Sequence, residues 1–456
     1  MSDAMQFSNR QLSDEAKKLE AVGQFVQAAD LYKQSYDLYP GGFVTSHYIR
    51  CLRKLGKSTA AVKFGRQLVR QLREDSFVHK ELSWAMYDVY LKKTENMEGN
   101  EFDDVEHEQQ GNSDFRKMQE VANYILSRLS ANEDILRTRT IFAICNEAKQ
   151  RGNWQTMYDF AIQLDPERLS TEQREWKGRK LPSDYQSWLF KMVRSLLELE
   201  RYKECLVFAS KGIEKYPSEK LFYWWQACAK KALGQVIEAL QELEQIDARF
   251  PKEWYIQRDI ANGYIELKEY DVAWIWFCKA ASCPGDPRGR FKMFESMSML
   301  LEQLDRFKEA YDHLLLAVMV ADQERWDRPV EALRGKLIQF RRRHEEQVVL
   351  PTDSSSKDWL SLNSRCRTFW QKTIQTSRLT YKGQIIKINE ERHSGFIRRS
   401  NSENAKDIYF RFRDVVKKVN PVVGMEVEFE VEKSFDPAKN QESLAAVNIR
   451  QIKSSV

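Results

Sequence analysis

Over most of the chain, apolar residues recur at i, i+3, i+4 and i+7 in short blocks separated by polar turns. This spacing predicts a succession of amphipathic helices. The blocks repeat. Glu200, Gly234 and Lys268 stand 34 residues apart. Tyr202, Val236 and Tyr270 follow, then the small residues Cys205, Ala239 and Ala273, then Ala209, Leu243 and Phe277. Pro217 and Pro251 close two of the units. Each unit reads as helix, turn, helix. The small residue lets two backbones approach, the apolar stripe faces the partner helix, and the proline ends the second helix. From Thr380 the period changes to two. Gln384–Ile388, Ser394–Arg398, Asp407–Phe412, Met425–Glu432 and Ala445–Ile449 all read as strands. Five short strands in so short a stretch suit a small closed barrel, which leaves no sheet edge exposed.

The 34-residue unit resembles the tetratricopeptide repeat. The same frame fits Gly23, Phe25, Ala28, Tyr32 and Pro40, then Gly56, Ala61 and Leu68, then Gly152, Trp154 and Ala161, and later Phe307, Ala310, Leu314 and Ala317. Ser58 stands where an aromatic is usual, and Gly65 replaces a large residue. Residues 77–130 read as one unit with a swollen turn holding an acidic loop, 95–114, and residues 172–185 read as an insertion. About eight units and a capping helix at 327–347 cover roughly 70% of the chain. The expected fold is mainly α, a tetratricopeptide-like α-solenoid superhelix over residues 1–347, because one unit cannot bury its apolar face alone. The resemblance implies a concave groove for a protein partner, walled by Phe190, Arg194, Trp224, Lys231, Tyr255, Arg258, Asn262 and Lys292. Arg258 and Asn262, one helical turn apart with Lys292 in the next unit, match part of the pattern with which such grooves hold acidic peptide tails.

Residues 348–378 read as a basic linker with a short helix at Trp359–Gln375, and 379–456 as the barrel. The strand order resembles a cold-shock domain, a five-stranded barrel of the OB type that binds single-stranded RNA or DNA. Gly395-Phe396-Ile397 matches the end of its first binding motif, and Asp407-Ile408-Tyr409-Phe410-Arg411-Phe412 matches the second. The resemblance implies that Phe396, Tyr409 and Phe412 stack on bases, while Lys387, Arg392, Arg398, Arg399, Arg411 and Arg413 contact phosphates. Lys387 stands where the family has an exposed Trp, Ser394 where it has a stacking Phe, and Arg411 where it often has His. His393 lies in the first motif, as a loop residue or a base contact.

Charge sharpens this picture. Residues 334–382 carry 11 Lys/Arg against 4 Asp/Glu, although the whole chain of 456 residues is only +5. A local basic excess points to a polyanion partner, and Arg341–Arg343 also suit the negative end of a helix. The composition, 42% hydrophobic and 30% charged, excludes a disordered chain. The polar N-terminus and the lack of a long apolar run argue against a signal peptide or membrane span, so the cytoplasm is the expected compartment. Seven scattered cysteines form no disulfide framework. Gly56-Lys57-Ser58-Thr59 lacks the first glycine and preceding strand of a phosphate-binding loop. Ser354-Ser355-Ser356-Lys357 has no companion motif, and Cys278 with Cys283 has no completing pair for zinc. No cofactor, metal or catalytic set is expected. The expectation is a non-enzymatic adaptor, with a protein partner on the solenoid and single-stranded nucleic acid, RNA favoured, on the barrel. The alternatives are a pure protein-interaction scaffold with a degenerate barrel, and a regulatory subunit of an RNA-processing or defence complex. The oligomeric state is left open.

Overall fold

The computed structural model describes residues 3–68, 75–92, 112–130, 133–176, 178–284, 290–323, 327–346, 359–376, 380–399, 407–416, 419–436 and 441–452. The chain forms two compact units, Met1–Tyr216 and Pro217–Val456. Most of the expected acidic loop, 95–111, lies outside the described residues.

The first unit is a stack of paired helices: α1 Asp3–Ala21, α2 Phe25–Leu38, α3 Gly42–Lys54, α4 Ser58–Leu68, α5 Ser76–Tyr90, α6 Asn112–Arg128, α7 Asp134–Gln150, α8 Trp154–Ala161, α9 Asp184–Glu198 and α10 Tyr202–Lys215. Neighbouring helices pack on each other, and Ala16, Ala28, Tyr32, Val44 and Cys51 form a core at its start. The insertion is a small antiparallel hairpin, β1 Arg174–Trp176 and β2 Arg179–Leu181. Gly56-Lys57-Ser58-Thr59 is the turn between α3 and α4, with Gly56 at φ +73°.

The second unit continues the pattern with α11 Lys220–Ala232, α12 Val236–Arg249, α13 Trp254–Glu266, α14 Tyr270–Ser282, α15 Phe291–Gln303, α16 Phe307–Gln323 and α17 Asp327–Arg343. The small residues of the repeat do what their size allows: Cys205, Ala239, Ala273 and Ala310 are fully buried between paired helices. Among the described residues, the turn position of the repeat is left-handed at Gly234 and also at the non-glycine residues Glu200 and Lys268. The chain then doubles back. Helix α18, Trp359–Thr376, packs on α14 and α16 through Leu362, Cys366 and Trp370.

A five-stranded closed barrel follows: β3 Thr380–Asn389, β4 Ser394–Arg399, β5 Ile408–Arg411, β6 Glu426–Asp436 and β7 Gln441–Gln451, in the order β3-β4-β5-β7-β6. All neighbours are antiparallel except β5 and β7, whose parallel pairing closes the barrel. Alternation turns Ile385, Ile397, Ile408, Phe410, Val427, Phe429, Ala446 and Ile449 inward. Strand β6 runs along α12, and Glu430 on its outer side is buried, accepting a hydrogen bond from Asn448 Nδ2 at 2.7 Å. The fold is therefore a tetratricopeptide-like solenoid followed by a closed five-stranded barrel, as the sequence predicts.

Candidate nucleic-acid interface

The inward set leaves the alternate residues of β3, β4 and β5 outside. A bulge between Ile385 and Lys387 shifts the register of β3, so that Lys387 sits opposite Phe396. Phe396 in turn sits opposite Tyr409, and Tyr409 beside Ala445. Directly opposed residues share a face and bring their Cβ atoms to roughly 5 Å, so Lys387, Phe396 and Tyr409 form one row across three strands. The two rings meet edge to face, with centroids 5.8 Å apart and planes at 68°. Phe396 is 38% exposed and Tyr409 half-buried. Ala445 is too short to cover Tyr409 from the far side.

Cations surround the row. Lys387, Arg392, Arg398, Arg411 and Arg413 are all exposed. Arg398 is engaged, donating from Nε and Nη2 to the Asp407 carboxylate at 3.0 and 3.2 Å. Arg413 lies 3.9 Å from Asp414. The side chain of Arg399 lies outside the described residues. Asp407 is the residue that reasoning from the binding motifs passed over. Its place opening the second motif was visible, but only the barrel shows that it meets Arg398.

Phe412 departs from expectation. Strand β5 ends at Arg411, and Phe412 opens a single 3-10 turn. Its parity is inward, so the ring is half-buried against the core and stacks on Phe410 at 6.1 Å and 25°. It is not a free platform like Phe396. Ser394 is also covered, at 5% exposure opposite Arg411.

The expected groove wall is corrected more heavily. In the first unit Phe190 is core, and Arg194 lies over the Trp154 ring while paired with Glu198 at 2.8 Å. In the second unit Trp224 and Tyr255 are core, their rings 4.6 Å apart. Trp224 Nε1–H donates to Asp259 at 2.8 Å, and Arg258 Nε–H to its other oxygen at 2.9 Å. Burial opposes the Asp259 charge, yet Arg258, Lys231 and the Trp224 donor hold its carboxyl below the usual range. Lys231 also pairs with Glu266 at 3.2 Å, and Asn262 is partly buried. Lys292 is exposed. Arg258 is thus paired with an internal carboxylate. Sequence spacing pointed to Arg258 and Asn262 and missed Asp259, whose partner Trp224 sits one repeat earlier.

Among the described residues, no cluster of three His, Cys, Asp or Glu could hold a metal, and no helix is long and apolar enough to cross a membrane.

No protein-family model matches the chain, and no curated protein matches it. Solved structures are similar to it at low identity. The TPR2AB domain of yeast Sti1 in its pHSP90 complex is 14% identical, with a TM-score of 0.28, covering 66% of this chain and 98% of that one. Yeast Tom70 is 9% identical, with a TM-score of 0.29, over 81% and 96%. A human IFIT1 dimer with PPP-AAAA is 12% identical, with a TM-score of 0.36, over 79% and 81%. At these values the fold rests on the helix pairing and strand order described above.

Proposed function

We propose that the chain is a non-enzymatic adaptor: the barrel, of cold-shock type, grips single-stranded nucleic acid, RNA favoured, and the helical solenoid holds a protein partner. The observation that carries this reading is the row of Lys387, Phe396 and Tyr409 on the outside of three adjacent strands. A cation and two accessible rings in register suit a strand of unpaired bases, since each stacked base contributes ~1–3 kcal/mol and any base offers a π face. Arg411 beside the row supplies a planar cation that can stack or bind phosphate. On the solenoid side the support is architectural. Stacked helix pairs bury their own cores and still present a long polar surface to a partner.

Salt titration of an oligouridylate bound to the full chain tests the barrel half. Four exposed cations, Lys387, Arg392, Arg411 and Arg413, predict a slope of log K against log salt of about −3, at roughly −0.7 per phosphate contact. Tyr409→Ala should weaken binding about 5- to 20-fold and leave that slope unchanged. No binding at low salt defeats the reading and makes the barrel a protein-docking module.

A further inference from the structure

The turn joining β3 to β4 is built around an unusual residue. His393 N–H donates to the Glu390 carbonyl at 3.2 Å, and Arg392 N–H donates to the Asn389 side-chain oxygen at 2.9 Å. The last turn position, His393, has φ +45°. That is the left-handed region, where glycine or asparagine would close the same turn with less strain. The His393 carbonyl accepts the Phe412 N–H at 2.9 Å, which ties the turn to the end of β5. The ring itself is exposed and stands 5.7 Å from the Phe412 ring, at 56°. Phe412, backed by Phe410, thus supports His393 rather than meeting solvent as a platform of its own. Arg411, opposite Ser394, lies along the strands between this pair and the Phe396–Tyr409 pair. Ring pair, guanidinium and ring pair follow one another along the strands.

We propose that His393 is a further base-stacking residue, which extends the Phe396–Tyr409 strip past Arg411 to the rim of the barrel by one nucleotide. The proposal rests on the nucleic-acid reading of the barrel. It is carried by the exposed imidazole set against Phe412 at the rim, in line with Arg411 and the Phe396–Tyr409 pair.

The test uses the full chain with oligouridylates of about four and about eight nucleotides, lengths that bracket a short site. Fluorescence anisotropy at low salt gives the affinity, and amide exchange of the barrel strands gives its stability. His393→Gly and His393→Asn both accept the left-handed backbone. Each should lose about 5- to 10-fold on the longer oligonucleotide and little on the shorter one, with barrel protection unchanged or raised. If both variants bind every length as the parent does while Tyr409→Ala is weakened, the His393 role fails and the barrel reading stands. If affinity falls only together with barrel protection in both variants, His393 is structural and the proposal is overturned. If the parent chain binds neither oligonucleotide, the barrel reading fails and takes this inference with it.

Discussion

A single missing side chain decides whether the candidate interface can form. Gly395 lies between Ile388 and Phe410 in the sheet. A Cβ there would come 2.4 Å from the Lys387 carbonyl oxygen and 2.5 Å from the Phe410 ring. Neither can withdraw, because one is ladder backbone and the other fills the barrel core. Gly395→Ala should destabilise the barrel by about 2–4 kcal/mol. Amide exchange would show this as lost protection in β3–β5, with the helices unaffected; unchanged protection would contradict the packing. The sequence made Gly395 visible as part of a motif, together with Phe396 and Tyr409, because period-two alternation fixes which residues share a face. The same alternation sets Phe412 with Ile408 and Phe410 on the inward face, whereas the binding-motif resemblance counted it as a platform. What the pattern leaves out is where β5 ends, at Arg411, because strand ends are set by neighbouring strands rather than by local pattern.

Among the elements, α18 shows where periodicity stops being informative. Its apolar stripe, Leu362, Cys366 and Trp370 at four-residue spacing, is plain in the sequence. The pattern says that a face is apolar without saying what covers it, so the stripe could pass for part of a linker. In the structure, Trp370 stacks on Phe294 at 5.9 Å and 9° and donates from Nε1 to His313 Nε2 at 2.8 Å. His313 is fully buried, and its Nδ1–H donates to the Glu309 carbonyl at 2.7 Å. Burial drives its pKa down to about 4 from 6.5, so the ring is neutral and can accept from Trp370. Trp370→Phe keeps most of the packing and leaves Nε2 without its donor. It should cost about 1–3 kcal/mol in urea unfolding, with early exchange of the α18 amides. An unchanged midpoint would remove this bond from the account. The groove residues misled for the same reason as the stripe. Phe190, Trp224 and Tyr255 lie on the predicted helices, but contacts one repeat away decide whether such a ring lines a surface or fills a core.

Across the second unit as a whole, two buried groups titrate with opposite effect. Asp247 on α12 accepts from Gln257 Nε2 at 2.8 Å, with Lys279, Glu244 and Glu432 of β6 around it. Burial, then the neighbouring carboxylates, raise its pKa to about 6 from 3.8, against the pull of Gln257 and Lys279. A carboxyl raised on folding favours the native state when protonated. Its contribution is therefore present at low pH and is lost as pH rises from about 4 to about 6. His313, lowered on folding, works the other way, and stability falls as pH drops from 6.5 toward 4. Between pH 4 and 6 the two contributions oppose each other, which flattens their combined effect on the unit's pH profile. Asp247→Asn removes one arm. A shift of this size is worth ~3 kcal/mol at full burial, and partial exposure of the site reduces it to about 1–2 kcal/mol. The variant should be more stable than the parent by that amount at pH 7, and the advantage should shrink to nothing near pH 4. Its own stability should fall more steeply than the parent's on acidification, where His313 is no longer opposed. Thermal unfolding at a series of pH values reads both effects. A constant offset at every pH would mean that the gain comes from packing at α12 and β6, and that the carboxylate cluster plays no part.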